Sequence, residues 1–386
     1  MTERKLATAA VRQGIESDTQ HGAVVPPIYL STNYAFDGHK NPRAFDYSRS
    51  GNPTRSILGD ALGELEQGCP AVITSSGMAA ITLVTSLLGP QDLLVVPHDC
   101  YGGSYRLFTN LAKKGNFKLL VLDQTDAQAV SNAFAQQPKM VWIETPSNPL
   151  VRVVDIAAMA AECQKVGALL VADNTFLSPA LQQPLTLGAD IVVHSTTKYI
   201  NGHSDVIGGA AIAKDAAVSE QLHWWSNTLG LTGGAFDSYL TLRGLRTMAL
   251  RVREHQRNAE QIVELLSNSE QVEKVYYPGL KTHPGHAIAA KQQQGFGAML
   301  SFELKGGEAE VAAFLGALNY FSVAESLGGV ESLVAVPATM THRAMEPEAR
   351  AEAGIKDTLI RLSVGIEDSQ DLLNDIAAGL AAVAAC

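Results

Sequence analysis

The sequence predicts an α/β fold with a mostly parallel central sheet flanked by helices. Two observations carry this. After residue 60, short β-branched runs recur, each followed by a polar or Gly-rich turn and a longer helical stretch. The runs are apolar throughout and do not alternate, as expected of strands buried on both faces. Strands alternating with helices give a parallel sheet with right-handed crossovers.

The runs are AVIT (71–74), DLLVVP (92–97), FKLLVLD (117–123), KMVWIE (139–144), ALLVADN (168–174) and ADIVVHS (189–195). Helical stretches such as DIAAMAAECQKVG (155–167) separate them. Residues 1–60 read differently. They are rich in Pro, Asn, Gly and aromatics, with no sustained period. This predicts an extended arm, lying on a neighbouring subunit or on its own domain. Beyond residue 257, a helical RNAEQIVELLSNS precedes strand-like VEKVYY (272–277), GAMLSFEL (297–304) and TLIRLSVG (358–365). GEAEVAAFLGALN reads as a helix between them. The expected organisation is an arm (1–60), a large domain (61–256) and a smaller C-terminal α+β domain (257–386).

Composition excludes several classes. A chain of 386 residues is long for one core, so two domains are expected. Hydrophobic residues at 46% and charged residues at 18% suit a globular enzyme and are too apolar for disorder. Net charge is -10, with no Lys/Arg block, so no nucleic-acid surface is expected. Cys69, Cys100, Cys163 and Cys386 are scattered and predict reduced thiols, neither a disulfide framework nor a zinc site. No secretory signal and no bilayer-spanning run is read, so a cytoplasmic protein without a membrane contact is expected.

In a parallel α/β sheet, ligands bind beyond the carboxyl ends of the strands. Ser75-Ser76-Gly77-Met78 follows AVIT and opens a helix, a ready anion site. Tyr101, between flexible neighbours, follows LLVVP; Asn148 lies in the TPSNP that follows MVWIE; Asp173 ends ALLVAD. Ser195, Thr197 and Lys198 follow DIVVH. A phosphate fits the helix start and the hydroxyls. A planar ring fits the tyrosine face, a pyridinium nitrogen fits Asp173, and an aldehyde fits the Lys198 amine as a Schiff base. Pyridoxal phosphate needs all four. Competing nucleotide loops, Gly-x-Gly-x-x-Gly and HExxH are absent. The histidines of THPGH (His283, His286) read as a solvated turn, and His203 as a hydrogen-bonded structural histidine. HWWSN (223–227) reads as core or interface packing.

YSRSGNPTR, SSGMAA, CYGGSYRLF, ETPSNP, VADNTFLSP, STTKYINGHSD and RLSVGIED together resemble the Cys/Met-metabolism enzymes that use pyridoxal phosphate. The resemblance covers nearly the whole chain. It implies fold type I and a homotetramer built from tight dimers. It makes Lys198 the Schiff-base lysine, Asp173 the partner of the pyridine nitrogen, and Tyr101 the stacking ring. Gly77, Met78, Ser195 and Thr197 hold the phosphate, and Tyr47 and Arg49 reach the phosphate of the neighbouring subunit. Arg361 takes the substrate α-carboxylate, a bidentate task that lysine does poorly. Asn148 is expected near the ring and carboxylate, and Ser326 near Lys198.

Within the family the chain is most similar to the γ-synthase branch. Gly102-Gly103-Ser104 stands where methionine γ-lyases carry a cysteine, and Glu325 where β-lyases carry an aromatic. Asp46 and Glu325 are expected at the distal end of the substrate. The implied reaction is γ-replacement, making L-cystathionine and succinate from O-succinyl-L-homoserine and L-cysteine; a γ-lyase or an O-acetylhomoserine-using sulfhydrylase is the alternative. Arg106 and Arg49 are candidates for the succinyl or cysteine carboxylate, though Arg106 reads equally well as a solvated arginine. Lys198 carries the protons, with Tyr101 a second acid/base. A catalytically inactive cofactor-binding scaffold would have lost Lys198, Asp173 or Arg361, and all three are present.

Overall fold

The computed structural model describes residues 4–343 and 347–386. The first three residues of the expected arm, and 344–346 of the expected C-terminal domain, lie outside them. In chain order the elements begin with α1 (Leu6–Arg12), α2 (Pro53–Glu66), β1 (Val72–Thr74), α3 (Gly77–Thr85), β2 (Leu93–Pro97), α4 (Gly102–Lys113) and β3 (Lys118–Leu122). They continue with α5 (Ala127–Phe134), β4 (Met140–Glu144), α6 (Ile156–Val166), β5 (Leu169–Asp173), α7 (Ser178–Leu181), β6 (Ile191–His194) and β7 (Gly209–Ala213). Then follow α8 (Ala216–Leu229), α9 (Ala235–Leu245), α10 (Met248–Ser267), β8 (Val272–Tyr276), α11 (His286–Gln292), β9 (Met299–Leu304) and α12 (Glu308–Gly316). The last are β10 (Ser322–Val323), β11 (Leu333–Ala335), α13 (Pro347–Glu352), β12 (Leu359–Ser363) and α14 (Ser369–Ala384).

The chain divides into two compact units. One comprises residues 1–89 and 169–249, the other 90–168 and 250–386. In the first unit four strands run in the order β1-β7-β6-β5. β5 and β6 are parallel, with Asp173 opposite Val193. β7 is antiparallel to both β6 and β1. The sequence reading missed β7, because GAAIA lacks β-branched bulk. Gly209 has a packing reason: a Cβ on it would run into the backbone carbonyl of Ser76.

Residues 1–60 are not wholly extended, as the arm reading expected. α1 forms near the start. Pro53 opens α2, whose N-cap Asn52 accepts from the Thr54 and Arg55 amides at 3.0 and 3.2 Å. Between the two helices the chain has only isolated bridges, such as Asn33 to Tyr47. Val24, Val25, Tyr29, Leu30 and Phe36 are exposed along it.

In the second unit β4, β2 and β3 are parallel, in that order. Of the helices between them, α6 shows how sequence stops and starts the element. Asp155 caps its N-terminus at the Ala158 amide, and Gly167 ends it in the left-handed conformation at φ 69°. The same unit carries a five-stranded sheet, β10-β11-β12-β9-β8, antiparallel except for the short β10–β11 pair. Phe302 of β9 and Phe314 of α12 meet edge to face at 5.5 Å in its core. The helix over 308–316 and the strands β8, β9 and β12 fall where the sequence places them.

All four cysteines are free. Among the described residues no helix is long and apolar enough to cross a membrane, and no acidic, His or Cys group could hold a metal. The Trp pair on α8 does not pack in a core: Trp224 is exposed, edge-on to Trp225 at 4.8 Å. His203 Nδ1 bonds the Asn201 carbonyl at 2.7 Å, the structural role expected of it. The THPGH turn is more enclosed than a solvated one. His283 accepts from the Gly285 amide at 3.1 Å, and His286 bonds the Pro278 carbonyl at 2.8 Å.

Candidate active site

The first unit brings Gly77, Ser195, Asp173 and Lys198 to the ends of β1, β5 and β6. The turn after β1 is set by Ser76, whose hydroxyl caps α3 at the Ala79 amide, 3.1 Å away. This leaves the Gly77 and Met78 amides at an open helix N-terminus, where a phosphate is stabilised by donors and dipole together. A Cβ on Gly77 would stand 2.8 Å from Cβ of Ser195 and 3.0 Å from its hydroxyl. Glycine is needed there because the Ser195 turn closes directly over the helix start. Such a cradle of amides and hydroxyls fits a phosphate.

Asp173 is the last residue of β5, and its carboxylate accepts from the Thr175 amide at 3.0 Å. Burial pushes its carboxyl above the usual carboxylate range. Hydrogen bonds from Thr175 and the charge of His194 oppose that push. Thr175 also accepts from the Ser195 amide at 3.0 Å, linking the β5 and β6 ends. Sequence reasoning passed over Thr175; its place two residues beyond Asp173 was the available signal.

Lys198 sits in the turn after β6, with its amide donating to the Ser195 carbonyl at 3.2 Å. Thr197 is engaged already. Its hydroxyl accepts from the Gly208 amide at 3.0 Å and faces the Gly208 carbonyl at 3.2 Å. Its one proton must leave that carbonyl to reach a phosphate. Asp46, Tyr47 and Arg49 lie on the exposed extended segment instead. Arg49 donates to Asn227 at 2.9 Å and lies over the Tyr47 ring. Hydrogen bonds from the Ser50 hydroxyl and the Tyr47 amide hold the Asp46 carboxyl below its ordinary value.

The second unit gathers Tyr101, Asn148, Ser326 and Arg361. Tyr101 caps α4 with its ring half-exposed. Glu144, the last residue of β4, is buried and clamps the local backbone. One oxygen accepts from the Tyr101 amide and the other from the Asn148 amide, each at 2.9 Å. Neither this clamp nor the pair that supports it was evident in the sequence. In that pair Asp99 accepts from Ser147 at 2.6 Å and from Arg152 at 2.8 Å.

Arg361, on β12, is 3% exposed, so it is a buried arginine and not a surface one. Its Nη1 donates to Asn148 Oδ1 at 3.0 Å and its Nη2 to the Ser326 carbonyl at 2.8 Å. Ser326 is left-handed at φ 87°, a conformation that costs a non-Gly residue about 1–3 kcal/mol. Buried His342 bonds the Asn148 carbonyl at 3.1 Å. Burial and the Arg361 charge push its imidazole down to about 4, so it stays neutral beside the arginine. The Glu325 and Arg106 side chains are exposed and make no hydrogen bond or ion pair among the described residues.

The donor set of each unit therefore suits anionic, amine-bearing chemistry, and the comparisons with known proteins agree. The model of the Cys/Met metabolism PLP-dependent enzymes matches residues 7–381. The cystathionine gamma-synthase of Escherichia coli (strain K12) is 60% identical over 380 residues, 98% of each chain. A solved cystathionine gamma synthase from Xanthomonas oryzae pv. oryzae, in complex with aminoacrylate and cysteine, is 62% identical. It superposes with a TM-score of 0.99 over 100% of both chains. The cystathionine gamma-lyase of Bacillus subtilis (strain 168) is 45% identical over 381 residues, 97% of this chain and 99% of its own. With its glycine at the helix start, its strand-end aspartate and its lysine in family order, this chain belongs to the Cys/Met metabolism PLP-dependent enzymes.

Proposed function

We propose that the chain makes L-cystathionine and succinate from O-succinyl-L-homoserine and L-cysteine, the trans-sulfuration step of methionine biosynthesis. The similarity to the Escherichia coli synthase over nearly the whole chain carries this reading. Gly77, Met78, Ser195 and Thr197 hold the cofactor phosphate, Asp173 holds a proton on the pyridine nitrogen, and Tyr101 stacks on the ring. When bound, pyridoxal phosphate supplies an electron sink for the charge developed at Cα.

Arg361 pairs with the substrate α-carboxylate, backed by Asn148 and Ser326. The Lys198 amine takes the Cα proton and later returns one, and Tyr101 is the second acid/base. The Cγ–O bond breaks, its electron pair leaving with succinate. The cysteine sulfur forms the new Cγ–S bond, and its thiol proton passes to the medium. Asp46, Glu325, Arg106 and Arg49 are the polar groups offered to the distal end of the substrate and to cysteine.

The exposed apolar residues of the extended segment support a homotetramer. In it the 1–60 arm lies on the neighbouring subunit, with Tyr47 and Arg49 reaching that subunit's phosphate. The functional division is then arm, large cofactor domain (61–256) and small carboxylate-binding domain (257–386), in a cytoplasmic enzyme.

Products from O-succinyl-L-homoserine with and without L-cysteine test the reaction, alongside the acetyl and phospho esters. Cystathionine must form only with cysteine. γ-Elimination is the second reading, favoured by the similarity to the Bacillus subtilis lyase. Cleavage of cystathionine faster than its synthesis would establish it. Lys198→Ala must abolish covalent trapping of the cofactor by borohydride; trapping that persists rejects Lys198 as the Schiff-base residue.

A further inference from the structure

Beneath the Asp173 end of β5 lies a charged group that none of the assigned roles uses. Glu66, the last residue of α2, is fully buried, and so is His194, the last residue of β6. His194 Nε2 lies 2.6 Å from Glu66 Oε1, the short end of the range for charge-assisted bonds. The same oxygen accepts from Asn174 Nδ2 at 3.0 Å. Asn174 Nδ2 can only donate, so Oε1 accepts there, and one proton lies between Oε1 and His194 Nε2. Glu66 Oε2 and His194 Nδ1 are buried with no hydrogen-bond partner among the described residues. The two side chains are thus bound to each other through a single contact.

The position of this contact matters. Asn174 directly follows Asp173, and His194 directly precedes Ser195. Glu66 therefore grips the chain at the two residues flanking the aspartate and the phosphate hydroxyl. Gln182 closes the group by donating to Asn174 Oδ1 at 3.1 Å. A charge on a side chain as buried as His194 is tolerable only beside a counter-ion, and Glu66 is the acidic group placed to serve as one. An imidazolium at His194 in turn favours the ionised form of Asp173 against its own burial.

We infer that the Glu66–His194 pair is a positioning device for the cofactor site, holding Asp173 as a carboxylate so that it keeps the pyridine nitrogen protonated. Charge then alternates from Glu66 through His194 and Asp173 to the pyridinium. The inference rests on the proposed pairing of Asp173 with the pyridine nitrogen.

The test uses apoenzyme reconstituted with pyridoxal phosphate carrying 15N in the ring. The 15N resonance reports protonation at that nitrogen, and titration of the apoenzyme reports cofactor affinity. Glu66→Gln keeps an acceptor at the same place but removes the charge that His194 requires. The resonance should move toward the unprotonated position and affinity should fall about tenfold, the equivalent of one pKa unit. Glu66→Gln/His194→Gln leaves no unpaired buried charge, so it keeps the test available if the single variant does not fold. It should show the same displacement.

A wild-type resonance and affinity in these variants overturns the inference and leaves the pair a purely structural clasp. Asp173→Asn separates the two levels of the argument. If it leaves the resonance unmoved, the pairing of Asp173 with the ring fails. If it moves the resonance while the Glu66 and His194 variants do not, only the device fails.

Discussion

Arg361 Nη1 donates to the side-chain oxygen of Asn148 at 3.0 Å, across 213 positions of sequence. Arginine has no acceptor, so the contact also settles which way the Asn148 amide points. Arg361→Lys replaces a planar fork by a point charge and leaves either Asn148 or the Ser326 carbonyl without its donor. The expected loss is about 1.5–3 kcal/mol, roughly ten- to a hundredfold in kcat/KM. Steady-state kinetics over substrate concentration should show it mainly as a raised KM.

Gly77 tolerates no side chain. Its Cβ would press on Ser195 at 2.8 Å, so Gly77→Ala must displace the Ser195 turn or the helix start. Overpacking of this kind costs about 1–3 kcal/mol. Bound cofactor per subunit should fall in the purified variant. Retention at the wild-type level would mean that the phosphate is held elsewhere.

The Glu144 clamp needs two acceptor oxygens, one for the Tyr101 amide and one for the Asn148 amide. Glu144→Gln supplies one and turns an NH2 group toward a backbone N–H. A buried donor left unpaired costs about 1–3 kcal/mol. Thermal unfolding should show a lowered Tm, together with poorer substrate binding as the Asn148 loop loosens.

Acid should destabilise the second unit through His342 and His255. Both are buried, and both imidazoles are pushed down from 6.5 to about 4, chiefly by burial. The unfolded chain takes up these protons near pH 6.5 and the folded chain only near 4. The stabilisation is therefore complete above pH 6.5 and is lost as pH falls toward 4, on the order of 3 kcal/mol for each group. Urea unfolding between pH 7 and 4.5 should follow this slope. His342→Gln, which cannot titrate, should flatten it.

Much of this was legible in one dimension. Runs such as MVWIE and ADIVVHS announce doubly buried strands because a strand covered on both faces needs apolar residues at every position. Asp155 and Gly167 mark the limits of α6 through local backbone chemistry. Lys198, Asp173 and Tyr101 stood out because polar or reactive groups directly after such runs have no packing reason to be there. β7 was hidden for the opposite reason: it lacks bulk, and its Gly209 answers to the Ser76 backbone, a neighbour distant in sequence.

The buried polar groups of each unit could not be read in this way. Glu144, His342, Glu66 and His194 look like ordinary strand, loop and helix-end residues. Their roles depend on which donors come within 3 Å of them after folding. Residue type and order were enough to determine the fold class and the cofactor, because each follows from short-range pattern and motif order. Only the tertiary structure decided that Arg361 is buried on Asn148 and Ser326, that Thr197 is engaged with Gly208, and that Glu66 meets His194. Hydrogen-bond pairing and desolvation are set by distances in space, and separation along the chain does not contain them.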